Sequence, residues 1–239
     1  MNRIMTWENL DSFAYTNSAI VGDSPKGVLI SFMGLGGAAT HFGAQSTEGI
    51  MWAEKGILFV LPYNNPWNWM NRQAIDYTDE IIDVIFGHYG FGESTPLISS
   101  GGSMGGQAAL VYTRYAKRTP KACFANCPVC DMPFHFTERP DLPRTIYSAY
   151  YNEEGDIETV CRRYSPLHLA DEMPDVPYYI FHATADKAVN IDAHSEKFVT
   201  AMKPSHNVTY IKVEGYGHCA FPPHVTVRWN ELIEAQVNG

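Results

Sequence analysis

Short apolar runs recur along the chain, and each is followed by a turn signal and then by a helix-like pattern. In several runs the apolar residues are continuous instead of alternating with polar ones, which is typical of strands buried on both faces. The runs read KGVLISF, GILFVLP, PLISSG, KACFANC, VPYYIFHA and NVTYIKVEG, and VTVRWNELIEAQV follows as a closing helix. Because strands that alternate with helices usually form parallel sheets, the pattern predicts an α/β fold with a mostly parallel central sheet flanked by helices.

One stretch, residues 128–177, departs from this rhythm because it is rich in Pro, Tyr, Arg and acidic residues. It contains the helix-like pieces RTIYSAYYNEE and GDIETVCRRY and lies between two predicted strands. Connections of this length are more often functional than idle, so we expect a small cap insertion over the carboxyl edge of the sheet. A surface connection without a role is the alternative. The chain shows neither repeats nor a low-complexity linker, and we expect residues 1–239 to form a single domain.

The composition fits a folded domain with a sizeable core, since 45% of the residues are hydrophobic and 18% are charged. A formal net charge of -9 at pH 7 argues against nucleic-acid and membrane-surface partners, because it repels phosphate backbones and anionic lipids. The start MNRIMTWENLDSF lacks the apolar segment of a secretory signal, and no apolar run is long enough to span a bilayer. We expect a cytoplasmic protein, and its oligomeric state stays open.

The most informative motif surrounds Ser103, where GGSMGG lies between an apolar run and a helical pattern. Residues 101–105 match G-x-S-x-G, the nucleophile elbow, in the strand-to-helix context that this motif requires. Such a sharp turn places the serine in a poorly populated backbone conformation, and glycines beside it avoid collisions that a Cβ would cause. The hydroxyl is then exposed at the sheet edge, near the positive end of the helix dipole. The alternative is a glycine-rich turn with an incidental serine.

A nucleophilic serine needs a base, and the base needs an acid that orients it. Asp186 follows the run VPYYIFHA, and His218 lies in a glycine-flanked loop after the next run. The chain order Ser103, Asp186, His218 is the order expected for this motif. Asp131 also follows a predicted strand and is the rival for the acid. The remaining histidines are interpreted as surface or structural residues: His41, His88, His135, His168, His182, His194, His206 and His224.

Backbone N–H groups that stabilise a negatively charged intermediate are expected in two places. The amide of Met104, directly after the nucleophile, is one candidate, and the loop after KGVLISF supplies the other through Leu35 or Gly36. The same loop, from Gly34 to Ala39, also matches the dinucleotide fingerprint G-x-G-x-x-A. The next strand leads into FVLPYNNPW, which has no carboxylate to hold a ribose, so we favour the oxyanion loop.

Five cysteines are present, so at least one is unpaired. Cys123, Cys127 and Cys130 cluster, and the last two have the C-x-x-C spacing of a redox motif or of half a zinc site. A structural zinc usually requires a second pair of ligands, which the sequence does not clearly offer. We interpret these residues as buried thiols, with a metal or redox site as the alternative, and expect no cofactor and no metal.

The predicted strand order, together with GGSMGG, HATADKAVN and GYGHC, resembles the α/β-hydrolase superfamily. More narrowly, the chain is similar to prolyl-oligopeptidase-like hydrolases and related small esterases. The segment SPLHLADEMPDVPYYIFHATAD is especially like the one before the acid in that group, and the resemblance covers most of the chain from about Lys26 onward. It implies an α/β-hydrolase fold in which Ser103 is the nucleophile, Asp186 the acid and His218 the base.

The sequence departs from the peptidases of this group in three respects. They usually carry an aromatic residue after the nucleophile, where this chain has Met104, and the common His-Gly-Gly pattern of the oxyanion loop is replaced by Met33-Gly34-Leu35. They also carry an N-terminal propeller, for which 239 residues leave no room. We therefore expect a free-standing serine esterase acting on a small-molecule ester. A small peptidase or amidase and a non-catalytic ligand-binding relative are the alternatives.

The expected substrate-binding loop follows GILFVLP and reads PYNNPWNWMNRQ. Loops at the carboxyl ends of parallel strands line the site in such sheets. Tyr63, Trp67 and Trp69 suit an aromatic acyl group or a sugar ring, so acetyl or feruloyl sugar esters are candidate substrates. The alternative is that these aromatic residues pack the cap against the sheet. Arginines that could hold a substrate carboxylate, or that are simply solvated, are Arg139, Arg144, Arg162 and Arg163.

Overall fold

The fold is built on a seven-stranded sheet, seen in a computed structural model that describes residues 4–37 and 46–239. The strands are β1 (Ala14–Thr16), β2 (Gly27–Phe32), β3 (Ile57–Pro62), β4 (Leu97–Gly102), β5 (Ala122–Asn126), β6 (Tyr178–Ala183) and β7 (Val208–Val213). Their order in the sheet is β1-β3-β2-β4-β5-β6-β7. The short edge strand β1 pairs antiparallel with β3, and the other pairings are parallel.

Helices connect the parallel strands and cover the sheet. They are α1 (Ser18–Val21), α2 (Thr47–Glu54), α3 (Arg72–Tyr89), α4 (Met104–Tyr115), α5 (Met132–Glu138), α6 (Leu142–Ala149), α7 (Ile157–Arg163), α8 (Lys197–Met202) and α9 (Pro223–Asn238). Within the described ranges, none of these helices is both long enough and apolar enough to cross a membrane.

Strands β2 to β6 are buried on both faces, which explains why their apolar runs are continuous, whereas the edge strand β7 is mostly half-buried. In β2, Val28 and Ile30 contribute to the core beneath α3 and α4, whereas Leu29 contributes to the core on the opposite face. That second core also contains Trp52 of α2 and Ile233 of α9. Alternate residues of one strand therefore meet helices on different sides, and each position requires an apolar side chain.

The sequence prediction of an α/β-hydrolase fold is confirmed. The six apolar runs correspond to β2 to β7, and VTVRWNELIEAQV lies within α9. The edge strand β1 was not predicted, because its three residues are too few to show a period.

The stretch 128–177 contains α5, α6, α7 and a short 3-10 turn at Ala170–Glu172. It is tied to the loop between β3 and α3 by side-chain hydrogen bonds. Trp69 Nε1 donates to Thr145 Oγ1 over 3.1 Å, and Asn71 Nδ2 donates to the carbonyl of Ala149 over 2.7 Å. These contacts fix α6 beside the carboxyl ends of the strands, and the role of the stretch as a cap stays a prediction.

Candidate active site

Ser103 lies in a strained turn between the end of β4 and the start of α4. Its backbone adopts φ 60° and ψ −125°, a positive φ that residues with a side chain rarely adopt. The surrounding structure holds it there: its N–H donates to the carbonyl of Asn126 over 2.9 Å, and its own carbonyl accepts from the amides of Gly106 and Gln107. Strain of this kind persists only where neighbouring contacts determine the conformation, and it clusters at functional sites.

The glycines of the motif allow β2, β4 and α4 to approach one another closely. A Cβ on Gly101 would collide with the carbonyl of Gly105, and a Cβ on Gly105 would collide with the carbonyl of Phe32. Both obstacles are backbone atoms that cannot move aside. The glycines are therefore required by the packing of the elbow itself.

Asp186 is a fully buried carboxylate in the turn after β6. Its Oδ2 lies 2.7 Å from Nδ1 of His218 and 3.3 Å from Nε2 of His182, and its Oδ1 accepts the amides of Ala188 and Val189. Burial alone would raise the pKa of Asp186, but hydrogen bonds from these two histidines and two amides outweigh it and hold the pKa well below its usual range. The carboxylate is therefore ionised and fixed in orientation.

His218 lies in the loop between β7 and α9 and is partly exposed. Its hydrogen bond to Asp186 is the main cause that raises its pKa to about 9; contact with Cys127 adds to this effect, whereas burial opposes it. The same hydrogen bond places the Nδ1 proton toward Asp186, so Nε2 of the neutral ring is left as the acceptor. This is the tautomer that a general base requires.

Ser103 and His218 line one cavity of about 490 Å³. Among the hydrogen bonds of the described residues, none joins the Ser103 hydroxyl to His218, and Nε2 of His218 lies 3.7 Å from Sγ of Cys219. Catalytic hydrogen bonds often tighten only when substrate is bound. The remaining lining residues are Gly34, Leu35, Trp69, Gly102, His135, Arg139, Ala188, Val189 and Cys219.

The loop predicted to supply an oxyanion donor reaches this cavity through Gly34 and Leu35. The amide of Gly36, the alternative donor, is already bonded to the carbonyl of Pro66 over 3.1 Å, and Gly36 does not line the cavity. Met104 is the first residue of α4, where amides have no acceptor within the helix. Of the two predicted donors in this loop, Leu35 is therefore better placed than Gly36. Met104 stays the predicted donor from α4. Ala39, the last residue of the dinucleotide fingerprint, lies outside the described residues.

The three aromatic residues predicted to bind substrate lie in two different places. Trp69 lines the Ser103 cavity with a nearly buried ring. Tyr63 and Trp67 line a separate groove of about 660 Å³ between the β3–α3 loop and α6. The backbone has a positive φ at Trp69, and the indole of Trp69 points inward, whereas Trp67 is 42% exposed.

The rival residues have structural roles. The side chain of Asp131 accepts a hydrogen bond from the amide of Phe134 and caps the N-terminus of α5. This carboxylate therefore serves α5 and not His218. Cys130 is buried, and its Sγ faces the carbonyl of Pro128. His41 lies outside the described residues.

Three clusters of the described chain have donor atoms close enough to hold a metal ion: Cys127, His218 and Cys219; Cys127, His182 and Asp186; and His135, Glu138 and His194. The predicted C-x-x-C pair is not among them, because Cys130 belongs to no cluster of this part of the chain. Two of these clusters contain residues of the proposed acid and base, whose hydrogen bonds account for their positions.

Sequence reasoning did not identify the supporting histidines. His182 on β6 contacts Asp186, and His135 on α5 lines the cavity, although both were interpreted as structural. One sequence signal for the contact between His182 and Asp186 is their spacing of four residues across the end of a predicted strand. No sequence signal points to His135, because its approach depends on how α5 folds back over the sheet.

The sequence profile described as the prolyl oligopeptidase family matches residues 75–235, more than half of the chain. No curated protein matches. Among solved structures, Est1E from Butyrivibrio proteoclasticus is 16% identical, with 95% of this chain and 94% of that chain covered and a TM-score of 0.64. An S-formylglutathione hydrolase from Agrobacterium tumefaciens is 18% identical, with 94% and 88% covered and a TM-score of 0.68.

A puromycin-hydrolyzing peptidase from Mycobacterium tuberculosis is 19% identical, with a TM-score of 0.71 over 90% of this chain. The chain spans only 34% of that peptidase and 34% of each of two puromycin hydrolase structures, but 94% of the length of Est1E. These likenesses support the fold, and the profile match supports the family. The chain therefore has the α/β-hydrolase fold and belongs to the prolyl oligopeptidase family.

Proposed function

We propose that the chain is a serine hydrolase that cleaves carboxylic esters of small substrates through an acyl-enzyme intermediate. Ser103 is the nucleophile, His218 the general base and Asp186 the acid that orients the base. The proposal rests above all on one observation: the strained serine shares its cavity with an imidazole whose Nδ1 is held by a buried carboxylate.

Acylation begins when Nε2 of neutral His218 takes the proton of the Ser103 hydroxyl as Oγ attacks the ester carbonyl carbon. The imidazolium that forms is stabilised by the carboxylate of Asp186, which stays ionised because its hydrogen bonds favour the charged form. His218 then returns the proton to the leaving alcohol. The products of this half-reaction are the free alcohol and an acyl ester of Ser103.

Two backbone amides, those of Leu35 and Met104, are assigned as the donors that stabilise the negative charge developing on the carbonyl oxygen. Gly36 is the less favoured donor, because its amide already donates to the carbonyl of Pro66. Loss of one such donor typically costs about 2.7–4 kcal/mol of transition-state stabilisation. The N-terminus of α4 adds positive potential at the same oxygen.

Deacylation repeats these steps with water as the nucleophile, and His218 again moves the proton. A volume of about 490 Å³ suits a small acyl or alcohol group, and it falls within the range of about 300–1,000 Å³ that is usual for small-molecule sites. Trp69 provides an apolar wall for that group. Acetyl and feruloyl sugar esters are candidate substrates, and the cap, residues 128–177, closes the cavity through His135 and Arg139.

A small peptidase or amidase is the second candidate function, because the chain belongs to a family named for a peptidase. The same three side chains would then attack an amide, and His218 would protonate a leaving amine. The ratio of amide to ester turnover separates this candidate from the first. A non-catalytic relative would bind ligand in the cavity without turning over either class.

The test is a panel of p-nitrophenyl esters of increasing acyl length, acetyl and feruloyl sugar esters, and matching aryl amides. Ser103→Ala is compared with the wild type and with Ser205→Ala, which removes an exposed hydroxyl beyond α8. We expect Ser103→Ala to lower kcat at least about a thousandfold on esters, while Ser205→Ala matches the wild type. Ester turnover that survives Ser103→Ala would exclude the mechanism, and preferential turnover of amides would favour the peptidase.

A further inference from the structure

A buried network of three side chains, two from the cap stretch and one from the segment between β6 and α8, reaches the active-site cavity and takes no part in the proton transfers above. Nδ1 of His135 lies 2.6 Å from Oε2 of Glu138, and Nε2 of His194 lies 3.0 Å from the same oxygen. His135 is 2% exposed and His194 fully buried. Of the three, His135 lines the cavity that contains Ser103.

The geometry around His194 determines where its proton lies. Nδ1 of His194 accepts two backbone amides, from Cys130 over 3.1 Å and from Asp131 over 3.0 Å. A nitrogen that accepts hydrogen bonds carries no proton, so the proton of this ring is on Nε2. Nε2 therefore donates to Glu138, and the carboxylate is the acceptor in that contact.

Glu138 accepts a third hydrogen bond, from the amide of Asn190 to Oε1 over 2.9 Å. Burial alone would raise the pKa of Glu138, but the hydrogen bonds from His135, His194 and that amide outweigh it and lower the pKa well below its usual range. The ionised carboxylate is an acceptor only. Nδ1 of His135 must therefore carry the proton that it shares with Glu138.

His135 stays uncharged near neutral pH, because burial lowers its pKa even though Glu138 acts in the opposite direction. With its proton on Nδ1, the neutral ring carries a lone pair on Nε2. In the part of the chain that is described, Nε2 has no protein hydrogen-bond partner and is not among the fully buried polar atoms, so it is open to the cavity that His135 lines. The ring is held edge-to-face by Trp69 at 5.3 Å between ring centroids, and both rings line the cavity.

We propose that Nε2 of His135 is a substrate-binding acceptor that recognises a free hydroxyl group on the ester substrate. This inference rests on the proposed function and adds a preferred substrate class, esters that carry a hydroxyl within reach of the wall formed by Trp69 and His135. A substrate that fills the cavity takes water away from this acceptor, and an acceptor that loses water without gaining a new partner is costly. A substrate hydroxyl satisfies the acceptor, whereas a substrate without one leaves it unpaired.

Arg139 in the same cavity does not offer a free charge to the substrate. Its guanidinium is bonded to Asp141 over 2.7 and 3.1 Å and to the carbonyl of Ala188 over 3.4 Å. The carboxylate of Asp141 already occupies the fork of the guanidinium, which makes it a poor receptor for a substrate carboxylate.

The test compares matched pairs of methyl esters of benzoic, phenylacetic and cinnamic acids, with and without a 4-hydroxyl group. The measured quantity is the ratio of kcat/KM for the hydroxylated ester to that for its partner. We expect a ratio of about tenfold or more for at least one pair in the wild type, because the unhydroxylated ester displaces water from the acceptor and leaves it unpaired.

Two substitutions of His135 separate recognition from packing. In His135→Asn the amide nitrogen replaces Nδ1 as donor to Glu138, but nothing replaces Nε2. We expect its ratio to fall to about one, because kcat/KM for each hydroxylated ester falls more than kcat/KM for its unhydroxylated partner. In His135→Gln the amide reaches the position of Nε2, so part of the preference should return.

A ratio near one in every wild-type pair, with esters still hydrolysed, would overturn the inference and leave the proposed function intact. A wild-type ratio that persists in His135→Asn would also overturn it. If the wild type hydrolyses none of the esters, the proposed function fails and this inference fails with it. Thermal unfolding of each variant confirms that a lost preference does not reflect a lost fold.

Discussion

At the scale of single residues, the chemistry depends on how buried partners fix the state of each titrating group. Asp186 is held ionised by two histidines and two amides, and it in turn fixes the tautomer of His218. In the cap stretch, Glu138 orients His135 in the same manner, but burial keeps that ring neutral. Under the two proposals, the two histidines of this cavity have different roles: His218 accepts and returns a proton, and His135 accepts a hydrogen bond.

The hydrogen bond from His218 to Asp186 predicts a basic pH dependence of activity. His218 must be neutral to accept the proton of Ser103, and its pKa is raised from 6.5 to about 9. Activity is therefore low where the ring is protonated, and kcat/KM should rise with pH through about 9. The profile of kcat/KM against pH for a neutral ester measures this midpoint.

Substitution of the acid checks the cause of that midpoint. In Asp186→Asn we expect residual activity with a midpoint shifted down toward 6.5, because the negative partner that favours the imidazolium is gone. His224→Gln removes an exposed histidine on α9 and should leave the profile unchanged. An unshifted midpoint in Asp186→Asn would show that another group controls the profile.

At the scale of elements, the elbow between β4 and α4 sets the position of Ser103, and the glycines beside it allow the sharp turn. The sequence was sufficient to predict this elbow, since the motif, the strand and the helix are all local. It was not sufficient for Trp67 and Trp69, because a turn with positive φ at position 69 decides which indole enters the cavity. The direction of the Gly36 amide also depends on Pro66 in a different loop.

The packing of the elbow predicts a large difference between two glycine substitutions. Gly105→Ala places a methyl group against the carbonyl of Phe32, and we expect it to lower the free energy of unfolding by about 2 kcal/mol or more. Gly87→Ala, at an exposed position of α3 with open space around it, should raise that free energy by up to about 1 kcal/mol. Urea unfolding of both variants measures the difference, and equal effects would contradict the close approach of α4 to β2.

At the scale of the whole molecule, the parallel sheet brings together residues that are far apart in the sequence. Ser103 follows β4, Asp186 follows β6 and His218 follows β7, so all three lie at the carboxyl edge of the sheet. Their order along the chain made this convergence predictable. The approach of His135 was not predictable, because it depends on how the helices of residues 128–177 return over that edge and not on any local pattern.

The most direct test of this convergence is covalent labelling with a fluorophosphonate, followed by mass spectrometry of the digested protein. A fluorophosphonate reacts with a serine only when a neighbouring base activates it. We predict one adduct per chain, on the peptide that contains Ser103, with slow labelling of His218→Gln and none of Ser103→Ala. An adduct on a different residue, or ester hydrolysis by a folded protein that the reagent leaves unlabelled, would contradict the account.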